Sequence, residues 1–317
     1  LICVNDRADL AVLAVREGLA PWGLHLGQSD LPHAEAAALP GLAGLRFGAS
    51  THHAGEWASA QAPVDHAGVG PFRATGTKAD HEPPIGLEGL AAGCASLRSR
   101  GLTPVAIGGL GLEDAEACFR AGAESLAMVG EVARAPDPAA LGWAVQRARW
   151  RAQPLDLRRG VVLAGSSGAG KSTLGAALAA GLGLPFHDLD AVVEAAEGRT
   201  IAAIFSAEGE TAFRAMEARH LTGLLARPGV LALGGGAWET AAVREAVAAS
   251  GFLALWLAEA PARCWQRVAA DPARPLAQDR DAFLALHRAR LPRWAELPCI
   301  LTFGRGAAEV AEALLAP

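Results

Sequence analysis

Residues 161–184 read VVLAGSSGAGKSTLGAALAAGLGL, and they carry the most specific pattern in the chain. The four leading apolar residues predict a buried strand, and the Ala- and Leu-rich end predicts a helix. The loop between them, Gly165–Ser172, fits the pattern G-x-x-x-x-G-K-[ST] in full. Backbone N–H groups of such a loop, at the start of a helix, bind the phosphates of a nucleotide. We therefore predict a P-loop domain that binds ATP as co-substrate.

The predicted nucleotide site is continuous in sequence. Its nine residues are Gly165, Ser166, Ser167, Gly168, Ala169, Gly170, Lys171, Ser172 and Thr173. Lys171 would reach the β- and γ-phosphates, and the hydroxyl group of Ser172 would bind Mg²⁺.

Charged residues and glycines downstream of the loop predict an acceptor site. FHDLDAVVE places Asp188 and Asp190 at the end of the second strand, where residues two apart point to the same side. TAFRAMEARHL places Arg214 and Glu217 on one helical face. Three further features complete the set: the strand-end glycines of LALGGGAW, Arg274 in a polar ARPLA stretch suited to a lid, and Arg290 in RARLPRW.

The order of these motifs over residues 160–317 resembles that of the shikimate kinase family. The resemblance implies that Asp190 holds the substrate hydroxyl groups and is the catalytic base, while Asp188 assists Ser172 with Mg²⁺. It implies that Arg214 and Arg290 bind the substrate carboxylate and that Arg274 acts from the lid. Gly235 and Gly236 would line the acceptor pocket. Trp294 stands where the family usually has Tyr.

In the first half of the chain, short apolar runs alternate with Ala-rich stretches that have a helical pattern. The predicted strands are LICVN, WGLHL, RFGAS, HAGVG, PVAIG and SLAMV. Repeated strand–helix units of this kind predict a parallel sheet, either open or closed into a barrel. There are six units, whereas a closed (β/α)8 barrel needs eight.

Motifs in this half resemble thiamine phosphate synthase: VNDRADLA, HLGQSDLP, FGASTHHAGEW, AGVGPFRATGTK and PVAIGGLG. The family joins a pyrimidine diphosphate to a thiazole phosphate and releases pyrophosphate. The site residues that the resemblance implies are Asn5, Asp6, Asp30, Ser50, Thr75, Thr77, Lys78, Gly108 and Gly109. Asp6 and Asp30 would hold Mg²⁺, and the others would mainly contact substrate and phosphate oxygens. Gly130 stands where the family usually has Ser.

The fold class predicted for the whole chain is α/β. It comprises an incomplete TIM-type (β/α) barrel, with six of eight units, in residues 1–148, then a linker in residues 149–159. A P-loop kinase α/β/α domain with a parallel sheet follows in residues 160–317. LICVNDR resembles the third strand of the synthase barrel, so we expect a fragment whose synthase half is inactive.

Composition narrows the functional classes. Apolar residues make up 51% of the chain, and 28 Lys and Arg oppose 33 Asp and Glu. No nucleic-acid or membrane partner is therefore expected, and the expected partners are small molecules. The five scattered cysteines predict reduced thiols in a cytoplasmic protein.

Alternative functions remain open at this stage. The kinase half could act on a thiamine precursor, although such acceptors carry no carboxylate for the paired arginines. The barrel could be a relative of thiazole tautomerase. A regulatory module that binds nucleotide without turnover, or a fusion created by sequence assembly, would also fit the sequence.

Overall fold

The computed structural model describes residues 2–19, 21–74, 76, 82–269 and 279–316. The chain divides into two compact units, Leu1–Gln153 and Pro154–Pro317. The last helix of the first unit ends at Ala152, so the first four residues of the predicted linker are helical. That helix stops just before the Gln153–Pro154 pair because proline disfavours helical backbone in the residue that precedes it.

The first unit is a curled, six-stranded parallel half-barrel, which confirms the six predicted strand–helix units. Its strands pair in chain order: β1 (Cys3–Asn5), β2 (Gly23–Leu26), β3 (Arg46–Thr51), β4 (Val64–Val69), β5 (Thr103–Ile107) and β6 (Ser125–Ala127). Its helices are α1 (Ala8–Arg16), α2 (His33–Ala37), α3 (Ala54–Ser59), α4 (Gly86–Ser99), α5 (Ala115–Arg120), α6 (Val129–Arg134) and α7 (Pro138–Ala152).

Strand alternation in the first unit separates an apolar face from a polar one. Leu24, Leu26 and Phe47 pack with Ala11 of α1 in one buried cluster. The opposite face carries His25, Gly48 and His66, which are aligned across β2, β3 and β4. Because neighbours along a strand point to opposite faces, this pattern places the helices on one side of the sheet.

The second unit is a five-stranded parallel sheet covered by helices. The strands are β7 (Val161–Ala164), β8 (Phe186–Asp188), β9 (Val230–Ala232), β10 (Leu253–Ala258) and β11 (Cys299–Leu301), in the order β11-β10-β7-β9-β8. The helices are α8 (Lys171–Leu182), α9 (Leu189–Glu197), α10 (Ile201–Leu224), α11 (Ala241–Ser250), α12 (Pro261–Val268), α13 (Arg280–Trp294) and α14 (Ala307–Leu315). This architecture confirms the predicted P-loop kinase fold class.

The central strand β7 is buried along its whole length, as expected for a parallel strand covered on both faces. The chain passes from β7 to one side of the sheet and later returns to the other side at β10. Ligands of open α/β sheets bind at such a switch point, beside the carboxyl ends of the strands. The P-loop, Asp188 and the triple glycine all follow strand ends at this edge.

Helix α10 contains a kink. Gly209 has φ 81° and ψ 176°, so the helical backbone breaks there and resumes before Arg214. This φ/ψ region is accessible essentially only to glycine. Within the described ranges, no helix is both long and apolar enough to cross a membrane.

Candidate active site

The P-loop joins β7 to α8 and surrounds a buried amine. Lys171 is the first residue of α8, and its Nζ donates hydrogen bonds of 2.9 Å to the carbonyl oxygens of Gly165 and Ser166. Ser166 and Ala169 are also buried, whereas Ser172 and Thr173 are exposed. The loop therefore holds its cation at the switch point of the sheet.

Ser172, in the first turn of α8, is hydrogen-bonded to Asp188, the last residue of β8. The hydroxyl group of Ser172 donates to Asp188 Oδ2 at 2.5 Å. Asp188 Oδ1 accepts from the backbone N–H of Asp190 at 3.1 Å, and this bond caps α9. A hydroxyl and a carboxylate are hard oxygen donors, so these two residues fit a Mg²⁺ ion.

The triple glycine brings three parts of the site close together. A Cβ on Gly234 would lie 2.5 Å from Asp190 Oδ1 and 2.7 Å from Glu217 Oε1. A Cβ on Gly235 would lie 2.6 Å from Ser167 Oγ, in the P-loop. Any side chain at these positions would collide with the carboxylates or the loop, so glycine is required for the close approach.

Two guanidinium groups meet at the third glycine. A Cβ on Gly236 would collide with Nη2 of both Arg214 and Arg290. Arg290 Nη1 donates to the carbonyl oxygen of Gly235 at 3.0 Å. Burial, with the charge of nearby Arg214, lowers the pKa of Arg290. The site thus holds two partly desolvated cations side by side, an arrangement that favours binding of an anion.

Arg214 is held in place by two carboxylates of its own helix. Its Nη1 donates to Glu217 Oε2 at 2.5 Å, and its Nη2 donates to Glu210 Oε1 at 2.8 Å. Glu217 is fully buried, and its Oε1 has no hydrogen-bond partner among the described residues. Burial raises the pKa of Glu217 to about 7, although the charge of Arg214 acts in the opposite direction.

One predicted site residue lies outside the described residues, and two residues of the site were not predicted from the sequence. The former is Arg274, the predicted lid arginine. Arg267 of α12 donates to the carbonyl oxygen of Gly168 at 2.9 Å, a contact across 99 residues that no local pattern indicates. Glu217 could have been identified from its spacing of three residues from Arg214, but no role was predicted for it.

Trp294, the departure from the usual Tyr, is almost completely buried. It stacks on Trp256 with 6.4 Å between ring centroids and meets His287 edge-on at 5.3 Å. The indole ring, at the end of α13, is therefore part of the hydrophobic core of the C-terminal unit.

In the first unit, the predicted residues occupy the carboxyl ends of several strands. Asn5 Nδ2 donates to Asp6 Oδ2 at 2.8 Å, and Asp6 has the unusual φ of 62°. Asp30 Oδ2 accepts from the N–H of Gly27 at 2.6 Å, and Ser50 Oγ lies 3.1 Å from His25 Nε2.

Of the remaining predicted residues of the first unit, some are described by the structure and some are not. Gly108 and Gly109 pack against the segment after β4, because a Cβ on either would lie less than 3.0 Å from it. Thr75, Thr77 and Lys78 lie outside the described residues. Gly130 falls in the first turn of α6.

Asp6 and Asp30 are the two carboxylates predicted to hold a cation in the first unit, and their role stays a prediction. Asp6 and Asp30 each accept a local hydrogen bond. In the part of the chain that the structure describes, no group of three or more His, Cys, Asp or Glu side chains is placed to hold a metal ion.

A P-loop after the central strand of a parallel sheet, with acidic and basic side chains at the neighbouring strand ends, defines a P-loop kinase. Residues 167–316 match the family model described as shikimate kinase. The shikimate kinase of Ruegeria pomeroyi is 39% identical over 158 residues, which are 48% of this chain and 80% of that relative. That of Streptomyces avermitilis is 42% identical over 160 residues, which are 49% of this chain and 92% of the relative. The chain belongs to the shikimate kinase family.

The first unit is similar to a second family. Residues 1–132 match the family model described as thiamine monophosphate synthase. The thiamine-phosphate synthase of Azorhizobium caulinodans is 44% identical over 140 residues, which are 43% of this chain. The chain spans about 60% of the length of that curated relative. One chain thus joins a shikimate kinase-like domain to a thiamine-phosphate synthase-like domain.

Proposed function

We propose that the C-terminal unit transfers the γ-phosphoryl group of ATP to a hydroxyl group of shikimate and forms shikimate 3-phosphate. The observation that carries this proposal is the meeting of Arg214 and Arg290 at Gly236, two residues after Gly234, which adjoins Asp190. A carboxylated polyol needs both features, cations for its carboxylate and a carboxylate for its hydroxyl groups.

The arginine pair would bind the carboxylate of the acceptor. Guanidinium groups bind carboxylates with two parallel hydrogen bonds, which fixes orientation as well as position. Burial and the charge of Arg214 lower the pKa of Arg290, and an acceptor carboxylate between the two arginines would offset that repulsion. Binding of the acceptor would therefore stabilise this part of the site.

Asp190 would orient the attacking hydroxyl group and accept its proton. General-base catalysis requires the base within hydrogen-bond distance of the proton that it removes. Asp190 lies at the start of α9, beside Gly234, and its carboxylate is partly buried. The neighbouring Glu217, with a pKa raised to about 7, is largely protonated below neutral pH and would leave the negative charge on Asp190.

The P-loop would position the phosphates of ATP. Lys171 would exchange its contacts with the carbonyl oxygens of Gly165 and Ser166 for phosphate oxygens, where its charge offsets the charge that develops during transfer. Ser172 and Asp188 would hold Mg²⁺, which neutralises phosphate charge when bound. Arg274 is proposed to add a further cation from the lid.

A thiamine precursor is the second candidate acceptor, since the first unit is similar to a thiamine-phosphate synthase. The arginine pair disfavours it, because an uncharged acceptor would bring no carboxylate to these two partly buried cations. For the first unit itself, the expectation that this chain makes no thiamine phosphate stays a prediction. Assaying the chain for thiamine phosphate formation tests it.

Acceptor specificity tests the proposal. ADP release from MgATP should depend on shikimate and not on hydroxymethylpyrimidine or hydroxyethylthiazole. Arg290→Gln should raise the KM for shikimate by roughly 10- to 100-fold, because a charge-assisted bond to the carboxylate is lost. Arg293→Gln, which removes an exposed arginine of the same helix, is the matched control and should leave KM unchanged. Release driven equally by a thiamine precursor would contradict the proposal.

A further inference from the structure

Glu210 occupies one hydrogen-bonding edge of Arg214, which is one of the two arginines proposed to bind the substrate carboxylate. Its Oε1 accepts from Arg214 Nη2 at 2.8 Å and from Arg214 Nε at 3.2 Å. These two N–H groups form one edge of the guanidinium fork, and such an edge can hold a carboxylate by two hydrogen bonds. Glu217 uses a different nitrogen, Nη1.

The two carboxylates around Arg214 differ in burial. Glu217 is fully buried, whereas the side chain of Glu210 is 60% exposed. A buried partner is part of the framework of the site, but an exposed side chain can turn into water with little loss. Exposed ion pairs contribute little to stability, so a ligand can displace such a side chain.

Glu210 also acts on the second arginine. Its negative charge raises the pKa of Arg290, in opposition to burial and to the charge of Arg214, which lower it. Glu210 therefore partly neutralises both cations of the proposed carboxylate site. It directly follows Gly209, where the backbone of α10 is not helical.

We propose that Glu210 is an internal competitor of the substrate carboxylate, and that it must leave Arg214 before shikimate can bind there. The inference rests on the proposed function, because it needs a carboxylated acceptor. It makes Glu210 a determinant of specificity, since only a ligand that brings its own carboxylate can displace it without leaving the Nε and Nη2 edge of Arg214 without an anion.

The test is the dissociation constant of shikimate, measured calorimetrically with the full chain. Glu210→Gln should tighten binding by about two- to fivefold, the range expected for removal of one exposed ion-pair competitor. Glu210→Asp keeps the charge but shortens the side chain, so it should also tighten binding. Glu208→Gln removes a charge two residues away that pairs with Arg199, and it should leave the dissociation constant unchanged.

Each outcome decides the matter. Unchanged or weaker binding in both Glu210 variants would overturn the inference, since Glu210 would then support Arg214 rather than compete for it. If shikimate bound more tightly to Glu210→Gln but not to Glu210→Asp, the effect would come from long-range charge. Direct competition of Glu210 for Arg214 would then be wrong. A wild-type chain that binds no shikimate would overturn both this inference and the proposed function. If the wild type binds shikimate and the Glu210 variants have the same dissociation constant, only this inference would be overturned.

Discussion

Glu217 is the buried acid on which the electrostatics of the acceptor site depend. It contacts Arg214 through one oxygen and lies beside Gly234 through the other, with Asp190 next to it. Burial removes water from both oxygens, and the charge of Asp190 opposes ionisation further. The carboxyl group therefore holds its proton to a higher pH than an exposed glutamate does.

The first prediction concerns stability and pH. The pKa of Glu217 is raised from 4.5 to about 7, so the folded chain binds this proton more strongly than the unfolded chain. The associated stability is full below about pH 4.5 and is lost as pH rises through about 7, by on the order of 3 kcal/mol. About 2 kcal/mol of this loss falls between about pH 5.5 and about pH 8, and in Glu217→Gln it should disappear.

Urea unfolding at the two pH values, followed by indole signals of tryptophans in the C-terminal unit, measures this effect. Glu312→Gln removes an exposed glutamate of the same unit and is the control. If the wild type and Glu217→Gln lost equal stability over this range, Glu217 would be ionised in the folded chain throughout it.

At the scale of elements, the P-loop is fixed by its contact with α12. Gly168 has φ 79°, and a Cβ there would collide with the carbonyl oxygen of Cys264. The carbonyl oxygen of Gly168 also accepts from Arg267. The loop conformation thus depends on a helix that lies about 100 residues further along the chain.

The second prediction compares two glycines of similar φ. Gly183, at the end of α8, has φ 66°, and a Cβ there would meet no atom of the described residues within 4 Å. Gly183→Ala should cost about 1–2 kcal/mol of stability, from the left-handed backbone alone. Gly168→Ala should cost more and should weaken ATP binding at least about tenfold, because the loop must also move away from α12. Urea unfolding and ATP titration measure both, and equal effects of the two substitutions would contradict this account of the loop.

Most strands could be predicted because parallel strands are buried runs between turn residues. The predicted segments of the first unit contain β1 to β6 almost entirely, although SLAMV extends into α6 at Val129. Strand β11 (Cys299–Leu301) was missed, and only Ile300 of its three apolar residues is buried.

The acceptor site could be predicted only in part. Asp190, Arg214 and Arg290 belong to local motifs, and the structure places all three around the glycines that follow β9. The contact of Arg267 with the P-loop depends on how helices pack, which sequence spacing does not report. Glu210 stands four residues before Arg214, a helical spacing that was readable but was given no role. Their roles, like those of the predicted residues, are proposals.

At the scale of the whole molecule, each unit has its own parallel sheet and its own buried clusters. The cluster around Val162, Phe213 and Trp294 belongs to the C-terminal unit, and that around Trp57, Leu90 and Leu97 belongs to the first. A domain with its own core can respond to a ligand by itself.

The third prediction follows from this separation. A ligand that binds only the folded state stabilises its domain, by about 2.7 kcal/mol at a concentration 100 times its Kd. ATP with shikimate should therefore slow amide hydrogen exchange in residues 154–317 and leave β1 to β6 unchanged. Hydrogen exchange with mass spectrometry measures this, with shikimate alone as the control. Equal protection of the half-barrel strands would show that the two units are coupled.

Coupled measurement of ADP and shikimate 3-phosphate tests whether this chain phosphorylates shikimate with Asp190 as the base. The full chain with MgATP and shikimate should release the two products in equal amounts. Asp190→Asn, which keeps the shape of the side chain but removes the base, should lower this rate by about 10²- to 10⁴-fold. ATP binding by the variant should be unchanged. Shikimate-independent ADP release, or a variant as active as the wild type, would contradict the proposed chemistry.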